Sequence, residues 1–146
     1  MLIEWDESWR VGHPEVDYDH MMLVNITNEL HFMRNRRGVK HIEIRRTLAN
    51  LIKYVERHFA REEAIFCATD YPEAERDRHI AKHRELEKAV RDIASLFAKQ
   101  PDLLNFDEIM VFLRDWLTLH ICKHDMGYRE WLGTGKPATA KGKRAA

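Results

Sequence analysis

Histidines and a glutamate at helical spacing carry the chemistry of this sequence: His20, His58 with Glu62, His79 with His83, and His120. The partners in each pair stand four residues apart, so on a helix they share one face. All six positions fall on apolar stripes with a period of about 3.6, the side of a helix that turns inward. An imidazole or carboxylate buried without a partner costs several kcal/mol, so each of these residues needs an explanation. Taken singly, the explanation is bland. A lone core histidine is more often hydrogen-bonded packing than a ligand, and His58 with Glu62 could be one helix-surface pair. Taken together, two spaced pairs and two further histidines, all facing inward, have few explanations without metal. Five imidazoles exceed the ligand number of one zinc ion, and the oxygen shells of calcium and magnesium do not suit histidine. Imidazole with carboxylate suits iron, and the donor count suits two ions bridged by carboxylates. A seventh donor is then expected close to His120. Asp125 lies five residues on, which a regular helix turns about 140° away, so it reaches the site only through a locally underwound, π-like turn. His124, four residues on, has the more regular spacing. Spacing alone leaves both open.

Four amphipathic helices must position these residues. The first is expected from about Tyr18 to Arg37, capped by Asp17 and stopped by Gly38, with His20, Leu23, Val24, Thr27, Leu30 and His31 inward. The second runs from about His41 to Phe66, its stripe passing from Ile44 through His58, Phe59 and Glu62 to Ile65. Tyr71-Pro72 marks a connection. A third helix begins near Pro72 and reaches about Lys99, with His79, His83, Leu86, Val90, Ile93 and Phe97 inward. The fourth runs from about Phe106 to Trp131, with Ile109, Phe112, Leu113, Trp116, Leu117, His120 and Ile121 on one side. Short connections favour an all-α, up-down-up-down antiparallel four-helix bundle. In that topology every candidate ligand falls at the end carrying the connection between the second and third helices. They form one site.

The chain of 146 residues has the length of one domain. We expect a bundle domain over 1–135, with an N-terminal arm anchored by Trp5 and Trp9, and a disordered basic C-terminal tail over 136–146. Formal net charge is zero, so no global field points to nucleic acid. The tail nevertheless carries Lys136, Lys141, Lys143 and Arg144 without an acid, which leaves the body mildly acidic. No apolar stretch approaches the roughly 18 residues of a membrane span, and the N-terminus lacks a signal peptide's basic start. Cys67 and Cys122 form no disulfide framework, and a cytoplasmic monomer is expected.

The sequence resembles the bacterial single-domain hemerythrins. The resemblance lies in VGHPEVDYDHMMLV, HFAREEAIFCATDYP, HIAKH and WLTLHICKHDMGY, spread over about residues 5–131. It implies Asp125 rather than His124 as the seventh ligand. One iron would take His79, His83 and His120, and the other His20 and His58. Glu62, Asp125 and an oxo or hydroxo group would bridge the two. The first iron is then full and the second five-coordinate, so molecular oxygen, or another small diatomic or anionic ligand, would bind there. Leu23, Phe59, Trp116, Leu117 and Ile121 match apolar oxygen-pocket positions of the family; ordinary core packing would place them equally well.

Some residues depart from the family pattern or stay unassigned. His13 reads as an exposed loop histidine, and Tyr18-Asp19 replaces the more usual Glu-Gln. Phe66 stands where methionine is common, Cys122 reads as a packed thiol, and Glu63 as solvated. The function expected is reversible oxygen binding for transport, storage or delivery, without catalysis. The alternatives are an oxygen or redox sensor acting through a partner, and a peroxide or nitric oxide reductase. The reductase ranks last because no general acid, and no carboxylate beyond the two bridges, is visible.

Overall fold

The computed structural model describes residues 2–35, 38, 41–103 and 105–135. The expected tail over 136–146 lies outside the described residues. Four long helices follow in order: α1 (Pro14–Asn35), α2 (His41–Ala68), α3 (Glu73–Lys99) and α4 (Phe106–Leu119). α1 packs on α2, α2 on α3, and α1 closes against α4, making an all-α antiparallel four-helix bundle. No helix among the described residues is long and apolar enough to cross a membrane.

The start of α1 differs from the expectation. The helix begins at Pro14, a residue suited to a first turn because the missing N–H has no partner to lose there. Asp17 therefore lies inside the helix and does not cap it. Its carboxylate instead accepts the N–H groups of Val11 (2.7 Å) and Gly12 (3.2 Å), folding the incoming chain onto the helix. Gly12 turns there with φ +92°, a conformation that favours glycine. His13, expected to be an exposed loop residue, is half-buried, and its Nδ1 accepts the Val16 N–H at 3.4 Å.

The N-terminal arm is tied to α1 by a two-way bond. Ile3 N–H donates to Asn28 Oδ1, and Asn28 Nδ2 donates back to the Ile3 carbonyl, both at 2.8 Å. Trp5 and Trp9 meet edge to face and pack against the core as anchors. At the other end, Asn105 caps α4 by accepting the Glu108 N–H at 3.1 Å.

The apolar interior is divided in two. The larger cluster joins all four helices and includes Leu23, Phe59, Leu86, Leu117 and Ile121. A smaller one, around Val16, Phe66, Tyr71 and Tyr128, closes the end that carries the α2–α3 connection. The candidate ligands lie where the two clusters meet. One stripe assignment needs correction: Phe112 is 39% exposed and Met110 takes the inward position. Cys122, read as a packed thiol away from the stripe, is exposed.

Candidate metal centre

Each helix delivers its donors to one level because the bundle is antiparallel. His20 comes from early α1, His58 and Glu62 from late α2, and His79 and His83 from early α3. His120 and Asp125 follow α4. All seven are buried. The five imidazoles turn Nε2 inward. His58 and His83 meet Glu62 Oε1 at 3.1 and 3.2 Å, and His120 meets it at 3.2 Å. Asp125 Oδ1 stands 2.8 Å from His79, while its Oδ2 stands 2.6 Å from His20 and 2.8 Å from His120. Two overlapping sets of donors result, one with His20 and His58, the other with His79 and His83. Both include Glu62, Asp125 and His120, with donor atoms within 4.8 Å of one another.

These residues fit a pair of metal ions. His83 Nε2 and Asp125 Oδ2 are buried without a hydrogen-bond partner, although other donors of the cluster crowd them. Lone pairs that converge with too few protons among them are what bound cations satisfy. The group charges agree. Burial opposes ionisation of Glu62 and Asp125, yet the histidines around them hold both carboxyls well below the usual range. Burial likewise opposes charge on His120, but Asp125 and Glu62 push it up to about 9, and His58 is raised well above its ordinary value by Glu62, Asp125 and Asp19. His20 goes the other way, pushed down by burial despite Asp125.

A pH dependence follows for the metal-free protein. A histidine raised in the folded state contributes stability below its unfolded pKa, about 6.5, and loses it as pH rises through the folded value. The melting temperature of metal-free protein is therefore expected to fall between pH 7 and pH 10. Metal-loaded protein, whose donors cannot take up protons, should change less. Equal melting curves of the metal-free form across that range would contradict it.

Asp125 reaches the site through a change of helix type. The chain leaves α4 at Leu119 and runs as a π-helix over His120–Asp125, then as a 3₁₀ helix over Met126–Trp131. The wider π turn brings a residue five positions on back beneath His120, which a regular helix would not do. His124, the alternative by spacing, is half-buried outside both donor sets.

The expectation that no carboxylate serves the site beyond the two bridges is corrected. Asp19 Oδ2 takes His58 Nδ1 at 3.2 Å and is itself held by Arg61 Nε at 2.8 Å. Glu63, expected to be solvated, is half-buried; its Oε2 takes His83 Nδ1 at 2.9 Å and its Oε1 pairs with Arg84. One histidine of each set is thus backed by a carboxylate that an arginine anchors. The Asp19 carboxyl is held below its ordinary range: burial opposes this, but His58 and Arg61 outweigh it. Two tyrosines were also missed. Tyr128 O–H donates to Glu62 Oε2 at 2.7 Å, and the Tyr71 hydroxyl lies 3.2 Å from His79 Nδ1. The available signal was adjacency, since Asp19 precedes His20 and Glu63 follows Glu62. A neighbour about 100° round from an inward residue lies at the seam between helices.

The Asp19 contact is testable. Asp19→Asn keeps an oxygen for His58 Nδ1–H but removes the charge. It is expected to weaken metal retention roughly 10–100-fold, read by competition with a chelator. Identical competition curves for variant and parent would show that the carboxylate does nothing for the metal.

Next to the donors lies an apolar cavity of about 20 Å³, enough for one small molecule, lined by Leu23, Phe59, Trp116 and Leu117 among others. Ile121, also expected in the oxygen pocket, is buried in the main core without lining it. Phe59 stacks on His83 at 3.8 Å and Trp116 on His120 at 4.7 Å, so the apolar walls also fix the imidazole planes.

A four-helix bundle with two buried, overlapping histidine–carboxylate sets fits the class of bundles that hold a non-heme di-iron site. Residues 11–132 match the family described as the hemerythrin HHE cation binding domain. The chain belongs to the hemerythrin family. It is 27% identical to a bacteriohemerythrin of Pseudomonas aeruginosa over 124 residues, covering 85% of this chain and 77% of that one. It is also 27% identical to a bacteriohemerythrin of Campylobacter jejuni, covering 75% and 80% of the two chains, and to a hemerythrin-like protein of Naegleria gruberi, covering 86% and 89%. A crystal structure of wild-type hemerythrin matches with a TM-score of 0.79 at 28% identity, covering 90% of this chain and 98% of that one.

Proposed function

We propose that the protein binds molecular oxygen reversibly at a pair of non-heme iron ions, as a carrier or store. One observation carries the reading: the two donor sets share Glu62 and Asp125 and adjoin an apolar cavity sized for a small molecule. His79, His83 and His120 would hold one ion and His20 and His58 the other, with Glu62, Asp125 and an oxo or hydroxo group bridging. The iron pair supplies, when bound, two one-electron couples and one open coordination position. The chain supplies the rest. Each carboxylate reaches histidines of both sets, so Glu62 and Asp125 would hold the two ions together. Tyr128 O–H holds the far oxygen of Glu62 in place. Leu23, Phe59, Trp116 and Leu117 exclude water, which would compete for the open position.

The test is to reduce the purified protein without air and then admit oxygen. Two irons per chain and a visible charge-transfer band that disappears when oxygen is removed are expected. A colourless protein, or one holding a single zinc, would sink the reading. A reductase at the same centre is favoured by one observation, the carboxylates behind His58 and His83, which make those imidazoles stronger donors. Sustained turnover of peroxide or nitric oxide with an electron donor, faster than autoxidation, would select it.

A further inference from the structure

A second cavity, of about 490 Å³, opens between α3 and the π turn, outside the metal centre. Its charged rim comes from two segments. Glu75, Arg78 and Lys82 lie on one face of α3, at helical spacing, and Lys123 comes from the π turn. Three fixed cations thus face a single acid. The other arginines of α3 are paired: Arg76 with Glu73 and Asp77, Arg84 with Glu63 and Glu87, Arg91 with Glu56. Among the described residues, Arg78 and Lys123 have no carboxylate partner, and Lys82 reaches only Glu85 at 3.6 Å. A helix that pairs its arginines elsewhere but leaves cations around one hollow presents an anion site.

The interior of the hollow is of another character. Its inner wall is Tyr71 and the outer edge of His79, whose hydroxyl and Nδ1 engage each other, so the rings offer mainly carbon. His124, on the same lining, keeps a buried Nδ1 with no hydrogen-bond partner. Gly127 adds no side chain, and a Cβ there would meet nothing within 4 Å. The volume exceeds what a bare oxyanion needs and falls in the range of small-molecule sites, about 300–1,000 Å³.

We propose that this cavity binds a small phosphorylated molecule of mononucleotide size. A guanidinium fork with two ammonium groups suits a phosphate dianion. The ring system of the ligand lies against Tyr71 and His79, and His124 is left to meet its polar edge. The site does not depend on what the iron pair does with oxygen, although His79 joins the two: its Nε2 stands 2.8 Å from Asp125.

The test is calorimetry on the purified, iron-loaded protein with three probes: adenosine monophosphate, flavin mononucleotide and inorganic phosphate. One mononucleotide per chain is expected, bound at least roughly tenfold more tightly than inorganic phosphate. Arg78→Gln and Lys123→Gln should each weaken it about tenfold, and Gly127→Leu, which fills the hollow, should abolish it. Iron content and melting temperature of the variants should match the parent, and Lys123→Gln, on an exposed residue, guards against misfolding as the cause. No binding of any probe would overturn the proposal, as would phosphate binding as tightly as the mononucleotides. So would undiminished binding in all three variants. A failure of the oxygen band leaves these readouts untouched, so the two readings fall separately.

Discussion

Glu62→Ala is expected to give protein without an iron pair, at most one weakly held ion per chain, and no oxygen-dependent visible band. Glu62 is 0% exposed and its Oε1 meets three imidazoles, from α2, α3 and the π turn. The substitution also strips the Tyr128 hydroxyl of its acceptor and leaves raised histidines facing each other without that charge. Removing one partner of a buried ionic contact costs about 3–5 kcal/mol. That is a large part of the roughly 5–15 kcal/mol that holds a domain folded. At about 2–4 °C per kcal/mol for a chain near this size, melting should fall by on the order of 10 °C. Glu62→Gln keeps the size of the side chain and an acceptor for Tyr128, so it separates loss of charge from loss of fold. Iron per chain is measured directly; full occupancy by two ions in both variants would refute the ligand set.

The second large effect is expected at the π turn. Asp125→Ala should remove the other shared carboxylate, whose two oxygens face His79 on one side and His20 and His120 on the other. Iron content should drop to one ion or fewer, and the oxygen band should vanish. His124→Ala is the control. That residue stands outside both donor sets, so its variant should keep two irons and the band. The reverse result, with His124→Ala losing iron and Asp125→Ala keeping it, would show that the regular helical spacing wins in solution.

Much of this architecture was legible in the residues. Four stripes of period about 3.6 imply four helices packed on a shared core, and short connections make neighbouring helices antiparallel. The bundle then aligns His20, His58, Glu62, His79, His83 and His120, since spacing along each helix converts directly into height. Errors came where a residue's direction depends on its surroundings. Asp17 looked like a cap but lies one turn inside α1, holding the arm through Val11 and Gly12. Glu63 looked solvated because polar residues beside an inward position often are, yet it meets His83 across the α2–α3 seam.

Residue type and periodicity thus determined the bundle and six of the seven inward donors, since helical geometry is local and repeats. Spacing could not choose between His124 and Asp125, and the resemblance to hemerythrins chose without a geometric reason. Only the tertiary structure supplied one: the π turn over His120–Asp125, which exchanges regular helix geometry for a carboxylate between His20, His79 and His120. Contacts between helices likewise decided Asp19 on His58, Glu63 on His83 and Tyr128 on Glu62. Such contacts join residues 20 to 66 positions apart, and no local pattern in a chain records which distant side chain completes a hydrogen bond.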